Sequence, residues 1–376
     1  MRIPSWLIKI SLSLLSFLLM SFFLFASLEA FPGLVRRLHL TSVHYFALKE
    51  RYVTDPDLIF RLRPNYSYRT YFAGDMRGLF VKKAPLLYTA AFDGEGFRNK
   101  GKTGDADIVL LGDSFIQAGV NEEDTLAARL QRKTGKTVLN YGMEWYGPPQ
   151  YLQVLRKFAL ARKPKIAVFC LFEGNDLRDT REYLRWQNGS DYYHFYLTQK
   201  NFFQRYVYAA KDTALFLAKA LLRNWDPRKV DVQIKPNPPF EHIFSYPVDL
   251  RTKDILRQSD EIRMIGTVLE DFKRLAEENQ IKPVVVFIPS STHIFLPYVI
   301  SGLSAKEYQR QLAAKTAVEE MLEELTKKSG IPWISLTPSF EKAAEEGKIL
   351  YYPTDTHWNT EGRELAAEVL EKALPR

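Results

Sequence analysis

The chain has 376 residues, 46% of them apolar, which is enough to bury a full core and excludes a disordered protein. The net charge of +8 is spread thinly, and no helix-turn-helix, zinc-ligand spacing or RNA-binding signature accompanies it, so no nucleic-acid partner is predicted. The single cysteine, Cys170, lies in an apolar run; this excludes an internal disulfide and predicts a small buried side chain.

An apolar segment near the N-terminus predicts a membrane anchor. From Ile10 to Leu28 there are 19 uncharged residues, about the length that a bilayer-spanning helix needs. A cleaved secretory signal is the alternative, but its apolar core is usually shorter, and Leu28-Glu29-Ala30 makes a poor cleavage site. We therefore predict an anchor at residues 1–31 and expect the remainder outside the cytoplasm, in a periplasm or on a cell surface.

Residues 32–104 predict a small extension before the main domain. A helical juxtamembrane stretch covers residues 32–54, and the alternation from Tyr66 to Tyr71 predicts short strands in a β-rich part, residues 55–104. The segment from Phe60 to Phe92 contains six basic residues and eight aromatic residues but only one acidic residue, Asp75. These could form a face for anionic lipids or an acidic glycan, but solvated charges on a β-rich subdomain are the favoured interpretation.

From residue 105 onward, apolar runs alternate with amphipathic segments. Strands are predicted at 108–111, 137–140, 166–171, 283–288 and 333–336, and helices at 124–133, 149–161, 261–279, 305–329 and 360–373. The alternation predicts an α/β domain, a parallel sheet covered by helices on both faces. An insertion at about 179–260 contains a mostly apolar helix, 203–223, which either packs against the domain or rests on a membrane.

Three polar motifs follow or end these apolar runs and predict one catalytic site. Ser114 comes directly after the strand 108–111, Asn175 follows the strand 166–171, and Asp355 and His357 precede the last helix. Because parallel strands end at one edge of a sheet, these residues are expected to meet there. A serine needs a base to attack a carbonyl, so Ser114 is the predicted nucleophile, His357 the base and Asp355 the residue that orients it.

The charge that develops on a carbonyl oxygen also needs fixed hydrogen-bond donors. The Ser114 N–H, the Asn175 amide and one backbone N–H from the stretch between Gly142 and Gly147 are the predicted donors. Trp145 occupies the central position of that stretch. Asp113 and Asp176, in contrast, are predicted to be structural and to bond backbone N–H groups in their turns.

Gly112-Asp113-Ser114, Gly174-Asn175-Asp176 and the late Asp355/His357 pair resemble, in this order, the SGNH (GDSL-type) hydrolase superfamily. The resemblance implies a three-layer, flavodoxin-like α/β/α fold and a serine esterase site. The superfamily usually places its acid three residues before the histidine, where Thr354 stands. The string Asp355-Thr356-His357-Trp358 instead resembles one in alginate O-acetylation proteins, where it precedes the serine.

Shorter strings resemble a bacterial membrane-associated branch of the same superfamily, and they are found at 92–98, 138–142 and 286–290. Three functions are compatible with these motifs.

The first is an extracytoplasmic acyl-ester hydrolase, the second is an O-acetyltransferase that modifies an envelope or exported polysaccharide, and the third is a catalytically silent glycan-binding module. No cofactor and no metal are predicted, since His293 and the other histidines lack partners at metal spacing. The expected partners are an acyl-ester or glycan substrate and the membrane, with the oligomeric state left open.

Overall fold

The computed structural model describes residues 4–37, 44–72, 86–190, 201–221, 228–353 and 355–375. The chain divides into two compact units, residues 1–54 with 193–223 and residues 55–192 with 224–376. Thr354, residues 73–85 of the basic and aromatic segment, with Asp75, and residues 222–223 of the insertion helix lie outside the described ranges.

Helices and strands alternate along most of the described chain. The helices are α1 (Ser5–Ala30), α2 (Pro32–Arg37), α3 (His44–Arg51), α4 (Ser114–Gln117), α5 (Leu126–Thr134), α6 (Pro148–Lys157), α7 (Asp176–Gln187), α8 (Phe202–Leu221), α9 (Lys253–Arg257), α10 (Asp260–Glu278), α11 (Ser291–Phe295), α12 (Ala305–Ala314), α13 (Ala317–Lys328), α14 (Thr337–Glu345) and α15 (Thr360–Ala373). The strands are β1 (Tyr52–Asp55), β2 (Ile59–Leu62), β3 (Ser67–Phe72), β4 (Leu86–Ala91), β5 (Ile108–Gly112), β6 (Val138–Gly142), β7 (Ile166–Phe172), β8 (Lys229–Val232), β9 (Phe240–Ile243), β10 (Lys282–Ile288), β11 (Val299–Ser301) and β12 (Trp333–Ser335).

The first unit contains α1, α2, α3 and α8. Among the described helices, α1 alone is long and apolar enough to cross a membrane, over 23 residues with a mean hydropathy of 2.1. This agrees with the predicted N-terminal apolar helix, whose length and composition suit a membrane anchor or a signal sequence. The helix of the insertion, α8, packs on α1, where the rings of Phe22 and Phe202 lie 5.1 Å apart.

The second unit is built on a five-stranded parallel sheet with the strand order β6-β5-β7-β10-β12. In order of appearance this is 2-1-3-4-5, the flavodoxin-like arrangement, so the predicted α/β class is confirmed. The order reverses between β5 and β7. Open α/β sheets bind ligands outside the carboxyl ends of the strands at that reversal, and β5 and β7 end there with the Ser114 and Asn175 motifs.

Every residue of β5 and β7 is buried because helices cover both faces of the sheet. Alternate side chains of a strand point to opposite faces. Leu110 belongs to the core shared with α5, α14 and α15, whereas Phe169 points the other way and stacks on Phe272 of α10, with ring centroids 3.8 Å apart. Cys170 is free and buried, as predicted.

Several elements differ from the sequence-based expectations. The helix expected over 305–329 is two helices, α12 and α13, and the break includes Thr316, a β-branched residue and a weaker helix former. The helix expected to reach residue 161 ends at Lys157 and is followed by a 3-10 turn, Ala159–Arg162. The insertion also supplies β8 and β9, which join β11 in an antiparallel sheet.

Candidate active site

Ser114 is held at the edge of the sheet by the turn between β5 and α4. Asp113 caps α4, because its Oδ1 accepts the backbone N–H of Phe115 at 2.9 Å. Ser114 is therefore the first residue of the helix, a position where a backbone N–H has no acceptor within the helix. The Ser114 N–H is thus suited to bind an anion, and Asp113 has the structural role that its position in the turn predicted.

Hydrogen bonds from the side-chain amides of two asparagines connect α4 to β6 and to the loop before β5. Asn140 of β6 donates through its side chain to the Ile116 carbonyl at 2.7 Å, and Asn99 exchanges two hydrogen bonds of 2.8 Å with the backbone of Asn140. A Cβ at Gly142 would lie 2.4 Å from the backbone nitrogen of Gln117. Only glycine permits this approach, so β6 packs directly beneath the helix that begins with Ser114.

Asp355 and His357 form a local pair in the loop before α15. One carboxylate oxygen, Oδ1 of Asp355, bonds both the His357 Nδ1 and the backbone N–H of His357, the latter at 2.8 Å. Burial lowers the pKa of His357, but the charge and hydrogen bond of Asp355 outweigh it, so that pKa lies above its usual value. The other ring nitrogen, Nε2, is buried and has no hydrogen-bond partner. With Nδ1 bound to the carboxylate, Nε2 is the nitrogen left to act as a base.

The structure brings this pair to the β5 turn. The imidazole of His357 lies on the ring of Phe115, with centroids 5.0 Å apart, and the charge of His357 acts on Asp113. His357 therefore contacts the residue that follows Ser114 and influences the one that precedes it. Within the described chain, Ser114 Oγ and His357 form no hydrogen bond; such bonds often tighten only when substrate is bound.

Asn175 lies at the carboxyl end of β7 beside two buried acids. Its Nδ2 donates to Asp179 Oδ2 at 2.8 Å, and its amide acts on Asp113 as well. Burial raises the pKa of Asp113 to about 6 and that of Asp179 to about 7. Asp176 bonds Tyr151 at 2.7 Å and the Phe172 N–H at 2.9 Å, which is the structural role predicted for it.

The two glycines predicted as sources of the third oxyanion donor do not have a free N–H. The Gly142 N–H donates to Asn140 Oδ1 at 3.0 Å, and the Gly147 N–H donates to Gln150 Oε1 at 3.1 Å. Both were chosen by their distance from Asn140 along the chain, and the side chains that occupy them could not be identified that way. Trp145, between them, has a φ of +66°, a conformation that favours glycine.

A second acid–histidine pair, missed by sequence reasoning, lies at the same edge of the sheet. Glu173, next to the Asn175 motif, bonds His293 Nδ1 at 2.8 Å and the Ser290 N–H at 2.8 Å. Burial lowers the pKa of His293, but Glu173 outweighs it and the pKa is raised. The pair ties the loop after β7 to the loop after β10. The two residues are 120 positions apart, so no local pattern joined them.

Arg98 is a further buried residue that the sequence did not assign a role. Its guanidinium donates to the carbonyls of Gln117 at 3.0 Å, Gly119 at 2.9 Å and Thr89 at 2.8 Å, and pairs with Glu122 at 2.8 Å. Arg98 thereby joins the antiparallel pair β3–β4 to the chain that leaves α4. Arg98 ends the string 92–98 that resembles the membrane-associated branch, and its contacts indicate a structural role close to Ser114.

No group of three or more His, Cys, Asp or Glu side chains within the described residues could hold a metal ion. The sheet edge presents side chains and backbone amides with distinct chemical properties. They comprise a hydroxyl at a helix start, an unpaired ring nitrogen backed by a carboxylate, and an oriented amide.

Residues 254–376 match a family model described as an SGNH hydrolase-like domain, acetyltransferase AlgX. The matched range contains Asp355 and His357 but not Ser114 or Asn175. Comparison with curated protein sequences found no match.

Several solved structures align with the chain at low similarity. An acetyl xylan esterase aligns over 71% of this chain and 99% of its own, with 11% identity and a TM-score of 0.39. A GDSL-like lipase from Bacteroides thetaiotaomicron aligns over 71% and 86%, with 11% identity and a TM-score of 0.35. A lipase/acylhydrolase from Enterococcus faecalis aligns over 70% and 93%, with 12% identity and a TM-score of 0.34. Scores this low do not bear on the activity of this chain.

Proposed function

We propose that the chain is an SGNH-type esterase or acyltransferase that works through an acyl-enzyme on Ser114; the match of residues 254–376 to the acetyltransferase AlgX model supports this. The observation that carries the proposal is the position of the Asp355–His357 pair against Phe115, beside the hydroxyl at the start of α4. Residues 1–31 are the anchor in this proposal, 32–104 the connecting extension and 105–376 the catalytic domain.

In the first step, Ser114 Oγ attacks the carbonyl carbon of an ester while His357 Nε2 takes the hydroxyl proton. Asp355 keeps the imidazole in the tautomer that leaves Nε2 unprotonated and stabilises the imidazolium that forms. The imidazolium then gives the proton to the departing alkoxide, which leaves as an alcohol. The acyl group stays on Ser114.

Charge on the carbonyl oxygen is stabilised by two donors in this proposal. One is the Ser114 N–H at the start of α4. The other is the side-chain amide of Asn175, which donates to Asp179 in the absence of substrate. Each donor is worth about 3 kcal/mol in the transition state. A third donor from Gly142 or Gly147 is not part of the proposal, since both N–H groups are already bonded.

The acceptor distinguishes the two candidate activities. If water attacks the acyl-enzyme, with His357 as base, the protein is an esterase. If a sugar hydroxyl attacks instead, it is an O-acetyltransferase, and the match of residues 254–376 to the acetyltransferase model favours this second activity. In both cases α1 tethers the site to a membrane with the catalytic domain outside the cytoplasm, so the substrate is an ester or polysaccharide of the cell envelope.

The test uses the full chain in detergent and p-nitrophenyl acetate. We expect release of p-nitrophenol, and a loss of about 10³-fold or more in kcat on Ser114→Ala. Ser190→Ala, at an exposed serine, is the matched control and should retain full activity. Equal turnover by wild type and Ser114→Ala would show that Ser114 is not the nucleophile.

The acceptor is identified by adding a neutral glucan oligosaccharide or an acidic uronate oligosaccharide to the same reaction. A transferase yields acetylated oligosaccharide by mass spectrometry, at the expense of free acetate. An esterase yields acetate alone. Ser114→Ala should give neither product.

A further inference from the structure

The insertion helix α8 carries an exposed apolar face that the proposed chemistry does not use. Phe203, Val207, Ala210 and Ala214 recur at spacings of four, three and four, which places them on one face of an α-helix. All four are exposed, and the two large ones have 64% and 50% of their surface open. Gln204 and Lys211, also exposed, flank this apolar face on one side.

A different face of α8 is already covered by α1. Tyr206 bonds Ser21 at 2.6 Å, and its ring packs on those of Phe22 and Phe25 at 5.4 and 5.7 Å. Arg205 pairs with Glu29 at 2.9 Å. The apolar face of α8 therefore lies next to the face that binds α1, and it is not used for that contact.

These contacts fix the height of α8 along α1. They run from Ser21 to Glu29, eight residues apart, which is a rise of about 12 Å. Glu29 is the first charged residue after the uncharged run, and its carboxylate also pairs with Lys49 at 2.7 Å. Charged groups of a membrane helix lie at the interface with water, so Glu29 marks that interface and α8 begins within about 12 Å of it.

We propose that the first half of α8 is a second membrane contact, with Phe203 and Val207 among the acyl chains of the leaflet that surrounds the end of α1. Helices of this kind lie in the interface with the apolar face buried about 5–10 Å, which agrees with the height set by the contacts with α1. The inference rests on α1 remaining in the membrane. It adds to the proposed anchoring that α8 and α1 together hold the first unit against the bilayer.

The test places a fluorophore on single introduced cysteines in the full chain, reconstituted in phosphatidylcholine vesicles with nitroxide-labelled acyl chains. Cys170 is buried, so the unsubstituted protein serves as the background for labelling. The positions are Phe203→Cys and Val207→Cys on the apolar face, Gln204→Cys as the matched control on the same turn, and Leu18→Cys in α1. Leu18 is 54% exposed on the apolar helix and reports whether α1 is in the bilayer.

We expect labels at 203 and 207 to be quenched at least twofold more than the label at 204, and more by shallow nitroxides than by deep ones. Equal quenching at 203, 207 and 204, with strong quenching at Leu18→Cys, would overturn the inference and leave the anchor intact. Absence of quenching at Leu18→Cys would overturn the anchoring on which it rests. The hydrolysis of p-nitrophenyl acetate, measured on the same vesicles, tests the catalytic proposal independently.

Discussion

At the scale of single residues, one carboxylate determines how His357 behaves. Asp355 Oδ1 bonds both the ring and the backbone of His357, so the tautomer and the ring orientation are fixed by a residue only two positions away. Burial alone would lower the pKa of the imidazole, and Asp355 reverses the sign. The base thus stays protonated to a higher pH than a free histidine, whose pKa is about 6.5.

We predict that Asp355→Asn lowers kcat by about 10⁴-fold and moves the acid limb of the pH profile. In the wild type, kcat/KM should rise as His357 loses its proton, with a midpoint above 6.5 because its pKa is raised. In Asp355→Asn the largest upward influence on this pKa is gone, and burial, together with Arg363, opposes the smaller influence of Asp113, so the midpoint should fall. The measurement is kcat/KM for p-nitrophenyl acetate from pH 5 to 9, with Asp254→Asn, at an exposed carboxylate, as control. An unchanged midpoint would contradict the assigned role of Asp355.

At the scale of elements, the site depends on segments far from it in sequence. Arg98 holds the chain after α4 through the Gln117 and Gly119 carbonyls, and Asn99 holds β6 through Asn140. The β-rich stretch before the sheet is thus part of the support beneath Ser114. The planar guanidinium of Arg98 has five N–H donors in a fixed arrangement, which the ammonium group of a lysine cannot reproduce.

We predict that Arg98→Lys lowers the free energy of unfolding by about 3 kcal/mol and lowers kcat more than it raises KM. The buried charge is kept, but most of its carbonyl acceptors lose their donor, and α4 is no longer held in place. Chemical denaturation and steady-state kinetics measure the two effects. Arg132→Lys, at an exposed arginine with one carbonyl bond, should change neither. A variant as stable and as active as the wild type would remove Arg98 from this role.

The sheet and the main motifs were predictable because their signals are local. Fully buried parallel strands are apolar throughout, as Ile108–Leu111 and Ile166–Leu171 are, and a polar motif after such a run marks the sheet edge. The packing of His357 on Phe115 was not visible in sequence. It depends on two loops, 242 positions apart, meeting through the strand order.

Other parts of the site could not be predicted either, because they depend on contacts that a local sequence pattern does not reveal. Gly142 was expected to offer an N–H to substrate, but Asn140 takes that N–H and the glycine serves close packing beneath α4. Glu173 and His293 pair across two strand ends. The strands β8 and β9 are four residues each, too short for a periodic pattern to distinguish them from loop.

At the scale of the whole molecule, a cluster of buried acids makes stability depend on pH. Burial raises the pKa of Asp113 to about 6 and that of Asp179 to about 7, and it raises that of Asp176 as well. The folded protein therefore binds more protons than the unfolded chain, in which an aspartate has a pKa near 3.9. Their contribution to stability is present below about pH 4 and is lost as the pH rises to about 7.

We predict that Asp179→Asn makes the unfolding free energy less dependent on pH. Between pH 5 and pH 8 the Asp179 carboxyl should cost the wild type about 2–3 kcal/mol, and the amide removes this cost. The measurement is urea denaturation of the full chain in detergent at both pH values. Asp260→Asn, at an exposed carboxylate, should leave the difference unchanged. If Asp179→Asn also leaves the difference in unfolding free energy between pH 5 and pH 8 unchanged, the Asp179 carboxyl is ionised in the folded protein as well as in the unfolded chain.

The loop that carries Asp355 and His357 is closed on itself. Tyr351 bridges Trp358, the Tyr352 N–H bonds the His357 carbonyl at 3.1 Å, and the Asn359 N–H bonds the Leu350 carbonyl at 3.0 Å. Acid, base and closing bonds all fall within ten residues, so their mutual geometry needs no help from chain connectivity elsewhere. The geometry of the acid and the base therefore does not depend on whether this unit stands ahead of the serine or behind it in the chain.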